Sequence, residues 1–300
     1  MSDLNTDFHV FQLAEMPVLS ALHRDLPEEE MLSNMTMVPG EQHCAVTYFE
    51  TEGDKEKMVL LYHGGIMHES VTRSKSCSKV YKTSFLIENG ALAMVTDDND
   101  SSVIAYHSTE PHLKQQKTPK KYLMHGSKLE QVSGSAMVKF KDNVFIFGGF
   151  NSDMDSNVDD IYILKNLVIQ NAEQTLEVIL CPGKMKIEHV IGEQRQKLME
   201  YPYTQTGDVP GARSGHQCFV VSDEILLIGG HLLEQQKLCP GKEMCMPDHP
   251  VYSFNPETIQ WKVLSIRENN NSFHLLNRSN FGAVQIEDKI WITGRHVSDV

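Results

Sequence analysis

Three groups of residues carry side chains that could bind a metal ion or take part in catalysis. His68 and Glu69 are adjacent, aspartates occupy positions 97, 98 and 100, and Cys239 and Cys245 precede His249. Zinc sites usually use closer pairs such as C-x2-C, and a calcium loop needs a glutamate at the EF-hand spacing, which is missing after the aspartates. The sequence therefore predicts solvated loops and turns at these positions, and no metal site.

Motifs for nucleotide binding and nucleophilic catalysis are absent from the sequence. It has no G-x-S-x-G elbow, no H-E-x-x-H helix, no G-x-G-x-x-G loop and no G-x4-G-K-S/T loop. Lys184 and Lys242 follow glycines, but neither has the upstream glycine and downstream hydroxyl of a phosphate loop. We therefore expect no catalytic residue, no cofactor and no enzymatic activity.

The composition indicates a folded protein with an acidic surface. Of the 300 residues, 40% are hydrophobic, and 40 Asp and Glu outnumber 27 Lys and Arg to give a net charge of -13. An acidic surface repels phosphate, which argues against broad nucleic-acid binding. No apolar run reaches the roughly 18 residues of a membrane span, the N-terminus lacks the basic residues of a secretory signal, and the cysteines are scattered. We expect a soluble protein of the cytoplasm or nucleus.

A repeated hairpin is the main organising feature of the chain. An apolar strand, a polar turn, a second apolar strand and a glycine pair recur at 44–65, 134–149 and 215–230, and the hairpin at 281–294 keeps one glycine. The segment 91–107 has the same pattern without glycines and is interpreted as a fifth copy. Glycine pairs at strand ends permit positive φ and let another backbone approach closely.

A second, weaker pair of strands follows each of the three glycine pairs. Tyr252 and Trp261 flank an Asn-Pro-Glu turn in the clearest case, and 160–164 with 175–180, and 80–87, occupy the same place elsewhere. Each unit is therefore predicted to be a four-stranded antiparallel sheet, which cannot bury both faces alone and must stack on its neighbours. Radial stacking of such sheets gives a β-propeller.

One of these units resembles a complete Kelch repeat. The resemblance rests on the segment 210–216 (PGARSGH), the pair Gly229-Gly230, and the aromatic residues Tyr252 and Trp261. The pairs Gly64-Gly65 and Gly148-Gly149 repeat part of the pattern, while most units lack the tryptophan. The resemblance implies an all-β, Kelch-type propeller of about five to six four-stranded blades, some of them degenerate.

The spacing of the glycine pairs bears on the domain organisation. The first two gaps between pairs are each longer than one blade, so 91–107 is interpreted as a degenerate blade and 182–206 as an inserted loop. Residues 1–42 are expected to supply the outer strands of a blade that 281–294 completes, within a single domain spanning 1–300. The alternative is that the chain is part of a longer propeller.

The resemblance also suggests where a partner would bind, since Kelch propellers grip partners with side chains at the ends of the blades. Arg213 and His216 are the first candidates, with His68 and Asn151, which lie just beyond glycine pairs. The alternative for Arg213 is that it packs across blades and bonds to backbone carbonyls, while His216 begins an inner strand.

Three functions remain open at this point. The first is a non-catalytic scaffold or substrate receptor that binds a protein partner whose identity the sequence does not give. The second is an accessory subunit of a DNA recombinase or transposase, because 207–216 and the hairpin ending at His63-Gly64-Gly65 are similar to the Kelch-like subunit of such complexes. The third is a propeller enzyme of the galactose-oxidase type, which no set of metal ligands supports.

Overall fold

In the part of the chain that the structure describes, the regular structure is almost entirely β, which confirms the all-β class expected from the sequence. The computed structural model describes residues 41–52, 55–70, 73–76, 80–88, 91–94, 103–107, 121–165, 176–183, 203–233, 250–265, 276 and 278–294. The strands in chain order are β1 (Glu41–Glu52), β2 (Lys55–Ser70), β3 (Arg73–Ser76), β4 (Val80–Glu88), β5 (Ala91–Met94), β6 (Val103–His107), β7 (Lys121–Gly126), β8 (Ala136–Phe140), β9 (Asn143–Asn151), β10 (Ser156–Lys165), β11 (Leu176–Cys181), β12 (Thr206–Gly207), β13 (Ser214–Val221), β14 (Glu224–His231), β15 (Val251–Asn255), β16 (Gln260–Val263), β17 (Gly282–Ile286) and β18 (Lys289–Thr293). No helix in these ranges is long and apolar enough to cross a membrane.

Three four-stranded antiparallel units recur in the described residues. Unit 1 has the order β1-β2-β4-β6, unit 2 the order β11-β10-β9-β8, and unit 3 the order β16-β15-β14-β13. The central strands of units 2 and 3 are apolar on both faces, as sheets covered on both sides require. The hairpins expected at 134–149 and 215–230 are confirmed as β8–β9 and β13–β14.

The strands β17 and β18 form a two-stranded unit 4, which confirms the hairpin expected at 281–294. One of its faces packs on unit 3 through Ala283, Ile290 and Ile292. The opposite face carries Val284 and Ile286, which are more than half exposed. The part of the chain that the structure describes thus holds three four-stranded units and one hairpin, and the count of five to six blades stays a prediction.

Three short parallel pairings lie at the outer edges of units 1 to 3. Strand β7 runs parallel to both β6 and β11 and joins units 1 and 2 into one hydrogen-bonded sheet. Strand β12 runs parallel to β16 in unit 3. The sequence pattern did not predict these pairings, because each segment contributes only a few residues to a distant strand.

The core consists of the layers between successive units. Units 1 and 2 bury one cluster that includes Val59, Leu61 and Ile146. Units 2 and 3 bury a second, which is rich in aromatic residues, and units 3 and 4 bury a third. In the second cluster the rings of Phe147 and Phe254 meet edge to face with their centroids 5.4 Å apart. The predicted stacking of the units on one another is therefore observed between each successive pair.

The segment 91–107 does not form the separate hairpin expected from its pattern. Strand β5 pairs with β4 through Phe85–Glu88, and β6 pairs with the other end of β4 through Val80–Lys82. Both strands therefore belong to unit 1. The pattern of two apolar runs around a polar turn correctly predicted the strands β5 and β6. It could not show that both of them pair with β4.

The first hairpin is longer than expected. In the hairpin expected at 44–65, β1 and β2 continue to pair up to Glu52 opposite Lys55, and the two strands extend beyond the expected range at 41 and 70. The register places Glu50 opposite Lys57, and opposite charges across an antiparallel pair favour pairing. Strand β2 also extends past its glycine pair and receives β3 on its far half, a strand that was not predicted.

Two predicted boundaries fall largely outside the described residues. Residues 1–40 lie outside them, and residues 41 and 42 of the predicted outer strands instead begin β1, the inner strand of unit 1. Within the predicted inserted loop at 182–206, the structure describes 182–183 and 203–206. The last of these residues, Thr206, begins β12.

Candidate functional site

Each glycine pair marks the place where the chain entering the next unit crosses the end of a sheet. The second glycine donates its N–H to a backbone carbonyl of that entering chain, and the first has positive φ with that carbonyl packed against its Cα. The donor–acceptor pairs are Gly65 with Val132 (2.9 Å), Gly149 with Arg213 (2.9 Å) and Gly230 with Arg278 (2.8 Å). The close approach predicted for the glycine pairs is confirmed.

Arg213 lies in the interior, with 2% of its surface exposed. Its Nε donates to the carbonyl oxygen of Gly211 at 3.1 Å and its Nη1 to that of Gly229 at 3.0 Å. Its guanidinium carbon lies 4.9 Å from the centroid of the Tyr252 ring. Burial lowers the pKa of the guanidinium, and the contact with Tyr252 opposes that change. The carbonyl contacts match the structural alternative stated above, although they lie within unit 3.

His216 lies in strand β13 and is 1% exposed. Its Nε2 is 3.1 Å from the carbonyl oxygen of Phe147 in unit 2, so the ring spans the junction of two units. Burial and, to a smaller extent, the charge of Arg213 lower the pKa of the imidazole to about 3. The ring is therefore neutral at physiological pH. Binding of a partner by His216 or Arg213 stays a prediction, and both side chains are covered in this structure.

Asn151 ends strand β9 and holds the loop that follows it. Its Oδ1 accepts the backbone N–H groups of Asp153 at 3.0 Å and of Met154 at 3.2 Å, and its Nδ2 donates to Glu130 at 3.3 Å. The Asn151 side chain is buried, while residues 152–155 are exposed and 53% of Met154 is exposed. Asn151 thus fixes the conformation of a loop that presents other side chains to the solvent.

His68 lies in the part of β2 beyond the glycine pair, opposite Ser74 of β3. This pairing places it on a hydrogen-bonded strand, just before a shift in register, and not in the solvated loop that the sequence suggested. Its side chain lies outside the described residues, so its predicted role in partner binding stays a prediction.

Tyr252 and Trp261 are buried on the neighbouring strands β15 and β16, as expected of core anchors. Their rings meet edge to face with centroids 6.3 Å apart. The indole Nε1 donates to Gln205 Oε1 at 2.8 Å, and the amide of Gln205 donates in turn to the carbonyl oxygens of Asp159 and Cys181 in unit 2. Gln205 therefore links the two units, a role that nothing in its local sequence indicated.

Two further structural positions were missed and had a readable signal. Gly126-Ser127 and Gly207-Asp208 stand at the same distance in sequence before their glycine pairs. The side chain of Ser127 accepts the backbone N–H of Leu180 in β11, and that of Asp208 accepts the backbone N–H of Val263 in β16. Arg278-Ser279 repeats Arg213-Ser214, and Arg278 Nη1 donates to Gly294 at 3.1 Å as Arg213 does to Gly229. Aligning the units at their glycines would have found both.

The described residues contain no group of three or more His, Cys, Asp or Glu side chains placed to hold a metal ion. Cys44, Cys181 and Cys218 are buried free thiols. Burial raises the pKa of Cys44 to about 11 and that of Cys181 to about 12, so neither is a reactive thiolate at neutral pH. These three cysteines therefore act as small apolar core residues.

Comparison with known proteins does not assign the chain to a family. No family model matches it, and no curated protein matches it. Among solved structures, one titled "Structure of YjhT" aligns with a TM-score of 0.36 and 10% identity, over 85% of this chain and 58% of that one. The chain thus spans less than two thirds of the length of that structure, and a TM-score this low adds nothing to the fold described above.

Proposed function

We propose that the protein is a Kelch-type β-propeller that acts as a non-catalytic scaffold and binds another protein. The stacked four-stranded units support the propeller, as do the backbone contacts that every glycine pair makes with the next unit. A rigid stack of sheets holds its connecting loops in fixed positions, and such loops commonly carry recognition.

The loop from Asn151 to Asp155 carries this proposal furthest. Asn151 caps it from inside, which reduces the entropy lost when a partner orders the loop. Met154 projects from it, and methionine is a flexible apolar side chain that adapts to varied protein surfaces. We propose that Met154 contacts the partner and that Asn151 positions it.

The charges of the described surface favour a protein over a nucleic acid as the partner. Asp153 and Asp155 flank Met154 and would repel a phosphate backbone. At the turn between β8 and β9, the exposed Lys141 forms an ion pair with Glu257 at 2.6 Å, so its charge is already matched. A recombinase subunit and a propeller enzyme stay as alternative predictions.

The test compares the tagged chain with Met154→Ser and Asn151→Ala by affinity purification from the source cells, followed by titration with the identified partner in purified form. We expect Met154→Ser to weaken binding about 10-fold or more, as the loss of an apolar contact residue does. Asn151→Ala is expected to weaken binding through loss of the loop conformation. Val284→Thr serves as the control, since Val284 is exposed to the same extent as Met154 on a distant strand.

Two results would contradict the proposal in different ways. If the folded protein enriches no partner over a tag-only control, the scaffold function is wrong. If a partner binds the Met154→Ser protein as tightly as the unchanged chain, the scaffold stands but this loop is not its binding surface. A recombinase or chromatin protein as the purified partner would favour the alternative function.

A further inference from the structure

The outer edge of β18 carries no paired strand in the part of the chain that the structure describes, where unit 4 consists of β17 and β18 alone. The corresponding strands of units 1 to 3, which are β2, β9 and β14, are paired on this edge by β4, β10 and β15. An open edge presents backbone N–H and C=O groups with which an incoming strand can pair. Among the described residues, unit 4 is therefore open at the place where each earlier unit has its third strand.

The packing layer between units 3 and 4 is less complete than the layer between units 2 and 3. Ile146 of unit 2 and Leu227 of unit 3 each precede the first glycine of their pair by two residues, and they are 1% and 2% exposed. Ile292 holds the same position before Gly294 but is only partly buried against the third cluster. The second cluster includes side chains from β15 and β16, and no described residue supplies the equivalent strands of unit 4 to the third cluster.

The third strands of the three earlier units share a tyrosine at one position of the register. It lies opposite the residue that comes two before the first glycine, and the pairs are Tyr81 with Tyr62, Tyr162 with Ile146, and Tyr252 with Leu227. In units 2 and 3 this tyrosine is buried in the layer toward the preceding unit. Directly opposed residues of an antiparallel pair share a face, so a strand that completed unit 4 in this register would place a tyrosine opposite Ile292 and over the incomplete layer.

Two further features describe the strand that fits this edge. Leu164 and Phe254 follow their tyrosines by two residues and are fully buried, so the pattern is a tyrosine, any residue and a large apolar residue. Arg278 donates to the carbonyl of its glycine as Arg213 does, and the Arg213 guanidinium carbon lies 4.9 Å from the Tyr252 ring centroid. The incoming tyrosine is therefore expected to lie beside the Arg278 guanidinium, an arrangement that a cation–π contact favours.

The 300 residues offer no further tyrosine for this position. Of the nine tyrosines, all except Tyr201 lie in described segments, and none of those segments pairs with β18. Tyr201 is two residues from Tyr203, whose ring centroid lies 6.0 Å from the ammonium of Lys165 in unit 2. Residues 1–40, expected from the sequence to supply strands of this blade, contain no tyrosine. A strand from another protein therefore fits the register best.

We propose that the outer edge of β18 binds an extended segment of a partner protein as an antiparallel third strand, with a tyrosine of that segment opposite Ile292. Backbone hydrogen bonds to β18 supply affinity, and the tyrosine with the apolar residue two positions later gives specificity. This binding mode rests on the proposed scaffold function and names the kind of segment that the scaffold takes. It uses a different surface from the loop at 151–155, which belongs to unit 2.

The test titrates the full chain into fluorescently labelled peptides and follows fluorescence anisotropy. The probe copies residues 250–256 of this chain (PVYSFNP), which include all of β15. We expect saturable binding of one peptide per chain. Replacement of the peptide's tyrosine, Tyr252→Ser, is expected to weaken binding at least about 10-fold, as loss of an anchoring aromatic residue does.

N-methylation of the peptide backbone tests the strand pairing itself. Gly229 donates its N–H to Pro250 at 2.7 Å in the β14–β15 register, so the N–H groups of Tyr252 and Phe254 point toward β14 and that of Ser253 points away. The peptide N-methylated at tyrosine and phenylalanine is therefore expected to lose binding. The matched peptide N-methylated at serine is expected to keep it.

Hydrogen exchange followed by NMR locates the bound peptide. Ile290 and Ile292 are the counterparts of Ile225 and Leu227, whose N–H groups point toward β15, so we expect their exchange to slow when the peptide binds. The Met154→Ser protein is expected to bind the peptide as the unchanged chain does. A failure of this edge is therefore distinguishable from a failure of the loop at 151–155.

Four results would overturn the proposal. The peptide does not bind, which would also be the result if residues of this chain cover the edge; its tyrosine is dispensable; the two N-methylated peptides bind equally well; or the peptide slows exchange elsewhere and not at Ile290 and Ile292. None of these results depends on the partner purification described above, so the scaffold function is tested separately.

Discussion

The residues that most resemble a binding motif serve the interior of this protein. Arg213 donates hydrogen bonds to the carbonyl oxygens of Gly211 and Gly229. The Nε2 of His216 is hydrogen-bonded to the carbonyl oxygen of Phe147. A charged or titratable side chain is costly to bury unless its polar groups are paired. The motif at 210–216 is therefore explained by contacts within unit 3 and at its junction with unit 2, whatever the protein binds.

Burial of His216 makes the stability depend on pH. Its folded-state pKa of about 3 lies below its ordinary value of about 6.5, so the fold favours the neutral ring. The unfolded chain binds the proton first, and the stabilisation is complete above about pH 6.5 and is lost as pH falls toward 3. Arg213 and His231 add to the cost of protonation, and Asp159 and Asp160 of unit 2 line a small cavity together with His216.

We expect the unfolding free energy of the unchanged chain to fall between pH 6.5 and 4 with a contribution from His216 of up to about 1.4 kcal/mol per pH unit. Denaturant titrations at several pH values measure this slope. His216→Gln is expected to show a shallower slope, and His231→Gln to keep that of the unchanged protein. Equal slopes for all three proteins would show that His216 is not buried in its neutral form.

At the scale of the elements, the glycines at the strand ends let each hairpin pack against the chain that enters the next unit. In units 1 to 3, the first glycine of the pair has φ between +54° and +73°, and the entering chain of the next unit packs against it. Unit 4 has asparagine at position 280 where unit 3 has Gly215, and Asn280 adopts a positive φ of 52°. Asparagine tolerates this conformation better than most residues, so the backbone pattern continues where the glycine is lost.

Gly229→Ala is expected to destabilise the protein by at least about 1–3 kcal/mol, because alanine is strained at φ +71° and its Cβ would overlap the carbonyl oxygen of Arg278. Gly211→Ala is the matched control: its added Cβ would meet only Leu232 at an ordinary 3.5 Å, and its φ is not positive. The change in unfolding free energy from urea titration checks both. A cost for Gly229→Ala no greater than that for Gly211→Ala would contradict the close packing at the glycine pairs.

At the scale of the whole molecule, stability resides in the layers between units. The layer between units 2 and 3 joins Phe145 and Phe147 to Phe254 and Trp261, all nearly fully buried. Exposed contacts across the same junction, such as Lys141 with Glu257, add little because solvent screens them. A substitution that disrupts the packing of this layer should therefore destabilise units 2 and 3 together.

Phe254→Ala is expected to cost about 3–5 kcal/mol, since it leaves a cavity among aromatic rings. Phe49→Ala is the control, and because 61% of Phe49 is exposed we expect a change within about 0.5 kcal/mol. Near-ultraviolet circular dichroism during denaturant unfolding follows both variants. If Phe254→Ala unfolds at the same denaturant concentration as Phe49→Ala, the described layer does not hold these units together.

The sequence by itself determined most of the strands, the turns of the hairpins at 134–149, 215–230 and 281–294, the position of the glycine pairs and the burial of Tyr252 and Trp261. These features follow from local alternation, turn residues and backbone freedom, which are readable within a dozen residues. It could also have revealed Arg278 as the counterpart of Arg213, had the units been aligned at their glycines.

The tertiary structure decided which strands pair and which side chains are covered. Strands β5 and β6 both join β4, and β7 and β12 find parallel partners far along the chain. Arg213 and His216 are buried where unit 3 packs against unit 2. Gln205 connects the two units because its side chain is hydrogen-bonded to both Asp159 and Trp261. Each of these outcomes depends on contacts between residues distant in sequence, which no local pattern encodes.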